Sequence, residues 1–398
     1  MRHVTSTLLR SGLAGLAGLA LLASCASTPS TASAGSGGGG SSPASSPGHA
    51  TYSAPPAQAL RAGEHFETLR MAEPYQPVAP NGGTDEYRCF LVDPKITKMS
   101  YLTGSQFLPD NVAIVHHAIF FRVSPQDADK ARQADAASPG EGWTCFGDAD
   151  INADAAWVAQ WAPGSNETLL RQSIGYPMPP GSLLIMQVHY NLLATGGKPG
   201  GVDQSSIRLR LADGSTKMTA LDTATMTAPV ELPCATGESG PLCDRTAAIA
   251  DVARRFGPEI GQAAQHLNRA CNGGNPPVPG PTQHCDHQLP PGTTIYAVAG
   301  HMHLLGRSIT LVLNPGTPNA RTLLDVPSYN FDDQAIRPLA QPVTLKAGDT
   351  LRVTCTHDAS LRKLLPQLRT LPPRYVVWGD GTSDEMCLAL AVVSVPGM

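Results

Sequence analysis

The chain reads as short apolar runs cut apart by turn residues, a pattern of strands rather than of long helices. Two runs are clearest. Residues 112–121 and 182–191 are rich in Val, Ile, Leu and aromatics, and the turn Pro179-Pro180-Gly181 feeds the second. Further strands are expected at 206–211, 294–298, 309–313, 350–354 and 388–395. Residues 244–270 differ. They are rich in Ala, Ile, Gln and Arg and predict helix, broken near Gly257-Pro258, where a proline cannot continue the backbone ladder. Cysteines flank this stretch on both sides, so it reads as a disulfide-stapled helical insertion of about 234–285.

Composition supports a mostly β protein. Of 398 residues, 39 are Gly and 36 Pro, which favours turns, and the length suggests about two domains. The net charge of −4, with no basic run outside the extreme N-terminus, argues against a nucleic-acid partner. That N-terminus is a targeting segment. Arg2 and Arg10 precede an apolar run at 11–23 that is too short to span a bilayer comfortably. The run ends in Leu22-Ala23-Ser24-Cys25, which resembles a bacterial lipobox. Residues 1–24 are therefore expected to be a lipoprotein signal peptide, with Cys25 as the lipidated residue. Residues 25–59, dominated by Ser, Gly, Ala, Thr and Pro, are expected to be a flexible tether. The expected location is the outer face of a bacterial membrane, with the chain exported, lipid-anchored and monomeric. Eight of the nine cysteines remain after Cys25, an even number that implies disulfides in an exported chain, and no CxxC pair suggests structural zinc.

Histidine placement changes the picture most. His301 and His303 are separated by one residue, and on a strand such neighbours point to the same face, as two ligands of one metal must. His116 and His117 are adjacent in an apolar run. On a regular strand they face opposite ways, so sharing a metal requires a strand end or a bulge. His189, in a second apolar run, is the natural third ligand of that set. Met386 is the candidate third ligand for His301 and His303, and its soft thioether favours copper over zinc.

These residues, in this order, resemble the copper type II, ascorbate-dependent monooxygenases. The matching stretches are Tyr87-Arg88-Cys89, Val115-His116-His117, Gln187-Val188-His189-Tyr190, His301-Met302-His303-Leu304, Gly306-Arg307 and Gly381 to Cys387. The resemblance implies two tandem jelly-roll-type β-sandwich domains, here 60–203 and 204–398, with the helical insert in the second. It implies two copper ions facing each other across a solvent-filled cleft. His116, His117 and His189 would hold the electron-transfer copper, and His301, His303 and Met386 the catalytic, O2-binding copper. Ascorbate or another one-electron reductant would be co-substrate in the hydroxylation of a C–H bond by O2. Gln187 is a candidate for coupling the two sites, against a plain solvent-facing role. Two bridges, Cys89–Cys145 and Cys355–Cys387, are implied by the same resemblance. For the other four cysteines, nested pairing (Cys234–Cys285 and Cys243–Cys271) is the first expectation and two local loops the alternative. His357, close to Cys355, is a candidate support rather than a ligand.

The substrate departs from the peptide-hydroxylating branch of that family. Ala299 stands where that branch has an arginine for the substrate carboxylate, and Leu388 and Leu390 replace its polar residues. Losing a charge-assisted contact costs about 1.5–3 kcal/mol. An apolar or neutral small molecule is expected instead. The alternative function is a non-catalytic copper-binding lipoprotein that stores or senses copper.

Overall fold

The computed structural model describes residues 53–397. Cys25, the signal segment and the tether up to residue 52 lie outside the described residues. No described helix is long and apolar enough to cross a membrane.

Two sheets enclose the first core. One runs Glu64–Arg70, Ser206–Asp213, Ser100–Leu108, Ile174–Met178 and Thr219–Ala220 in spatial order, with Thr168–Leu169 paired beside Ser100–Leu108. The other runs Trp143–Thr144, Asp85–Val92, Leu183–Asn191, Val115–Val123 and Ala155–Trp161. Period-two alternation assigns the faces. Along Val115–Val123, Ala118 and Phe120 enter this core, while Phe121 and Val123 point to the opposite face, beneath the helix Ala128–Ala137. Leu183–Asn191 is covered on both faces, which is why it reads as an unbroken apolar run. Truncating Ile185 to Ala in that doubly covered strand would cost about 2–5 kcal/mol.

The second core lies between two four-stranded sheets. One has the order Asp222–Thr227, Leu388–Ser394, Thr294–His301, Arg337–Thr344; the other has Thr282–His287, Leu351–His357, Gly306–Leu313, Arg321–Val326. Ala389, Ala391 and Val393 face this core, while Val392 and Ala297 reach into the first one. The two sandwiches therefore meet along one face of the Leu388–Ser394 sheet.

Two expectations change here. The division at 203/204 falls before Ser206–Asp213, a strand that pairs with Glu64–Arg70 and Ser100–Leu108. Ile207, Leu209 and Leu211 alternate into the first core, so the first sandwich extends through Ala220. The insert does form two helices, Arg245–Phe256 and Pro258–Cys271, hinged at Gly257 with φ 95°. Its cysteines, however, pair locally, as Cys234–Cys243 and Cys271–Cys285, rather than in the nested pattern. Cys243 sits just before the first helix, beside the preceding loop, and Cys271 ends the second helix against the strand that carries Cys285. The structure joins Cys89 to Cys145 and Cys355 to Cys387.

Candidate metal centre

The first imidazole set grows from two neighbouring strands. Val115 faces Tyr190 and His117 faces His189, so the register slips by one and His116 is the extra residue of a β-bulge. The bulge lets two adjacent histidines serve one point. Nδ1 of His116 lies 3.0 Å from Nδ1 of His117, which lies 3.3 Å from Nδ1 of His189. Nitrogens about 2.0–2.1 Å from a shared tetrahedral metal would stand about 3.3–3.4 Å apart. All three residues are buried. Burial first, and then the neighbouring His189, hold the His116 and His117 imidazoles well below their ordinary range, so both are neutral. A neutral ring keeps a lone pair for a metal.

Orientation comes from a residue outside the sequence motifs. Asp85 accepts from His189 Nε2 at 3.0 Å, which leaves His189 Nδ1 as the free lone pair. Asp85 is fully buried. Burial raises its carboxyl, but the bonds from His189 and Thr382 outweigh it and leave the group below its usual value. Thr382 donates to Asp85 through its backbone N–H at 3.1 Å and its hydroxyl at 2.5 Å. Tyr87 stacks on His189 at 4.1 Å and donates its hydroxyl to the Asp380 carbonyl at 2.8 Å. Thus the loop at 380–382, from the far end of the chain, helps aim a histidine of the first sandwich.

The second set is built differently. The strand ends at His301, so His303 lies beyond it, and the expected shared strand face does not exist. Glu385 replaces the lost ladder: it accepts from the backbone N–H of His303 at 2.8 Å and of Leu305 at 2.5 Å. The rings of His301 and His303 stand 5.1 Å apart. His301 Nδ1 bonds Gln334 at 2.6 Å and His303 Nδ1 faces the Asp384 carbonyl at 3.4 Å. Both Nδ1 atoms are engaged, so this pair presents Nε2 to a metal. The buried His303 Nε2 has no partner among the described residues, as a ligand atom would before its metal arrives. Burial, then the charge of its neighbour His303, depresses His301 to about 3. Met386 is half-buried at the edge of the second core. It follows Glu385 directly, and its carbonyl faces His357 Nε2 at 3.3 Å.

The two sets are not separated by an open cleft as expected. The rings of His117 and His301 lie 5.6 Å apart, so five imidazoles form one continuous cluster, buried apart from the half-buried His301. Phe331 stacks on His116 at 4.1 Å and stands 6.3 Å from His303, bridging the sandwiches. Gln187 is neither solvent-facing nor free. It is buried and its amide donates to the carbonyls of Asp148 at 2.8 Å and Cys145 at 3.3 Å. The helical insert also reaches the site. Arg255 holds both oxygens of Asp384 at 2.7 Å, and its own carbonyl accepts from Asn81 of the first sandwich at 3.2 Å.

Residues 281–392 match the model of the copper type II ascorbate-dependent monooxygenase C-terminal domain. This stretch of the chain is thus similar to the C-terminal domain of the copper type II, ascorbate-dependent monooxygenases. Within the matched stretch fall His301, His303 and Met386; the first imidazole set and the two helices of the insert lie outside it. The chain is also 33% identical to dopamine beta-hydroxylase of Equus caballus over 101 residues, which are 25% of this chain and 15% of that protein. Among solved structures, it is similar to the major capsid protein P2 of bacteriophage PM2 at a TM-score of 0.32 and 8% identity, over 83% of this chain and 98% of that one. An allantoicase structure matches at a TM-score of 0.16 and 12% identity, over 74% and 78% of the two chains. Scores that low carry no argument.

The donor set fits the family's metal. Five imidazoles with a thioether nearby in the chain suit copper in either of its common oxidation states. Asp85, Gln334 and Phe331 escaped the sequence reading, while Thr382 and Glu385 lay in the matching stretch Gly381 to Cys387 without a role assigned to them. An acidic pair opening a strand that ends in an apolar run, Asp85-Glu86, was the available signal for the first of them.

Proposed function

We propose that this chain is an exported copper monooxygenase, lipid-anchored through Cys25, that hydroxylates a C–H bond of a neutral, largely apolar small molecule. The balanced reaction is R–H + O2 + 2 e⁻ + 2 H⁺ → R–OH + H2O, with ascorbate or a similar one-electron donor as the electron source. Two coppers would be held, one by His116, His117 and His189 and one by His301, His303 and Met386. When bound, copper supplies one-electron chemistry and a place for O2. The chain's residues do the rest. Asp85 fixes the tautomer of His189, Glu385 fixes the backbone of His303, and Gln334 turns His301 so that its Nε2 is free.

A single observation supports this reading best. Two sets of imidazoles, one presenting Nδ1 and the other Nε2, meet in one cluster. Beside them lies a cavity of about 490 Å³ whose walls include His116, His303, Phe331 and Leu304. That volume is within the range of organic-ligand sites, about 300–1,000 Å³. Arg307 is the one cation in its walls, and it pairs with Asp358 at 3.3 Å. A neutral ligand is therefore favoured over an anion. The test is an untargeted search for products carrying one ¹⁸O atom after copper-loaded protein, ascorbate and ¹⁸O2 are mixed with extracts. Tight binding of two coppers with no incorporation of ¹⁸O would instead support a copper-storing or copper-sensing protein.

A further inference from the structure

Between Asp358 and Asp380 the chain carries no acidic residue. It carries Arg362, Lys363, Arg369 and Arg374, with leucines at 361, 364, 365, 368 and 371. The fold sorts these side chains by exposure. Leu368 is buried, and Leu361, Leu365 and Leu371 are half-buried. Leu364 is 70% exposed, more than any other large apolar side chain among the described residues. Arg362 and Arg374 serve the interior: Arg362 donates to the Pro372 carbonyl at 2.9 Å and Arg374 to Asp384 at 3.0 Å. Lys363 and Arg369 are exposed and pair with no acid among the described residues.

This segment borders the wide cavity. Leu361, Leu365 and Gln367 stand in its wall, as does Val112 of the first sandwich, itself 37% exposed. Asp332 is the one acid in that wall and comes from another segment. Chemistry selects what covers such an edge. Leucine that faces water beside unpaired cations suits a bilayer surface, where apolar side chains enter the acyl boundary and Lys or Arg meets anionic headgroups. A protein partner fits less well, because lysine is depleted at protein interfaces.

We propose that residues 361–371 dock the protein on an anionic bilayer. Leu364 enters the lipid, Lys363 and Arg369 lie on the headgroups, and the wide cavity opens at the lipid surface. Its apolar substrate is then drawn from the lipid rather than from water. That last step rests on the oxygenase reading above. The docking does not, and it holds whether or not Cys25 is lipidated.

The test reads depth. The eight described cysteines are all bridged, so Leu364→Cys offers a new thiol for a nitroxide label. Copper-free full-length protein is mixed with vesicles of phosphatidylglycerol and phosphatidylcholine. Collisions of the label with O2 and with a water-soluble nickel chelate are then compared by EPR. The label should favour O2, as a group inside a bilayer does, while one at the exposed Asn319→Cys stays with the nickel. Pro366→Cys carries the label if the first variant fails to fold. Lys363→Glu with Arg369→Glu should lower the inserted fraction roughly tenfold. In turnover, Leu364→Glu should slow ¹⁸O incorporation into lipid-dissolved extract several-fold, with copper content unchanged. A label that meets nickel equally with and without vesicles would overturn the docking, as would equal insertion at Asn319. So would a label that stays in water but contacts a second label as protein concentration rises, which would make the edge an interface between two copies. Insertion in a protein that never incorporates ¹⁸O would remove the oxygenase reading and leave the docking. Incorporation of ¹⁸O by a protein whose label stays in water would do the reverse.

Discussion

The two imidazole sets reach a similar end by opposite means. The first belongs to the regular sheet. A bulge turns His116 and His117 to one point, the next strand supplies His189, and a buried carboxylate aims it. The second begins where the sheet stops. Glu385 ties down the backbone beyond His301, and the loop that carries Met386 is pinned from outside by Arg255 and Arg374 of other segments. A set built into strands has its geometry fixed by ladder bonds. A set built on a loop depends on distant charges, and so can be disturbed without touching a ligand.

The sharpest way to break this comparison is to remove one ligand from each set. His117→Ala and His303→Ala should each lower the copper content of reconstituted protein from two ions to one, measured by mass spectrometry of the metal. Loss of both ions in either variant would show that the five imidazoles act as one undivided centre.

A second experiment tests the dependence on distant charge. Asp384 is buried, and its charge is balanced by Arg255 and Arg374. Arg255→Met leaves one buried partner in place of two. Breaking a buried pair costs about 3–5 kcal/mol, and the remaining Arg374 places this case at the low end. Denaturant unfolding should show that loss. Copper affinity at the His301 set should fall as well, while the His116 set keeps its own. Equal weakening of both would make the insert a general brace.

The same contrast explains what was legible in the chain. Periodicity revealed the strands, because a core-facing run such as 182–191 carries its burial in its own residues. The bulge was half legible, since adjacent histidines that share a metal left a strand end or a bulge open, and only the register decided between them. Thr382 was not, because its partner Asp85 is 297 residues away and only the meeting of the sandwiches brings them together. The local pairing of Cys234 with Cys243 was open for a similar reason: it depends on where the helical insert docks, which no spacing encodes. The strand Ser206–Asp213 has the alternation of either sandwich, and only its partners show which one it joins.

A third prediction separates aim from ligation. Asp85→Asn keeps every ligand but lets His189 change tautomer. Loss of such a partner weakens metal binding about 10–100-fold. The weakening should appear at the first set alone when copper affinity is measured by competition. An equal change at the His301 set would mean that the Thr382 bond also shapes the second set.

The smallest effect concerns Asp380, where the two regions touch. Its carbonyl accepts from Tyr87, and its carboxyl is fully buried with an unpartnered oxygen. Burial, then the nearby charge of Asp384, pushes this carboxyl up to about 7, although a bond from the Gly147 backbone opposes the shift. A carboxyl raised on folding holds its proton in the native state after the unfolded chain has released it. Between about pH 4 and pH 7 the native state therefore binds more protons, and stability falls as pH rises, by at most about 1.4 kcal/mol per pH unit for one group. Above pH 7 the native form ionises too and the slope ends. Asp380→Asn has no proton to lose, so its unfolding free energy should decline less steeply than wild type from pH 5 to pH 7, with the two curves parallel above that. Metal-free protein is the right material, since bound copper would add its own pH dependence. Parallel curves across the whole range would mean that Asp380 titrates normally, and that the junction between the two sets is wetter than its packing indicates.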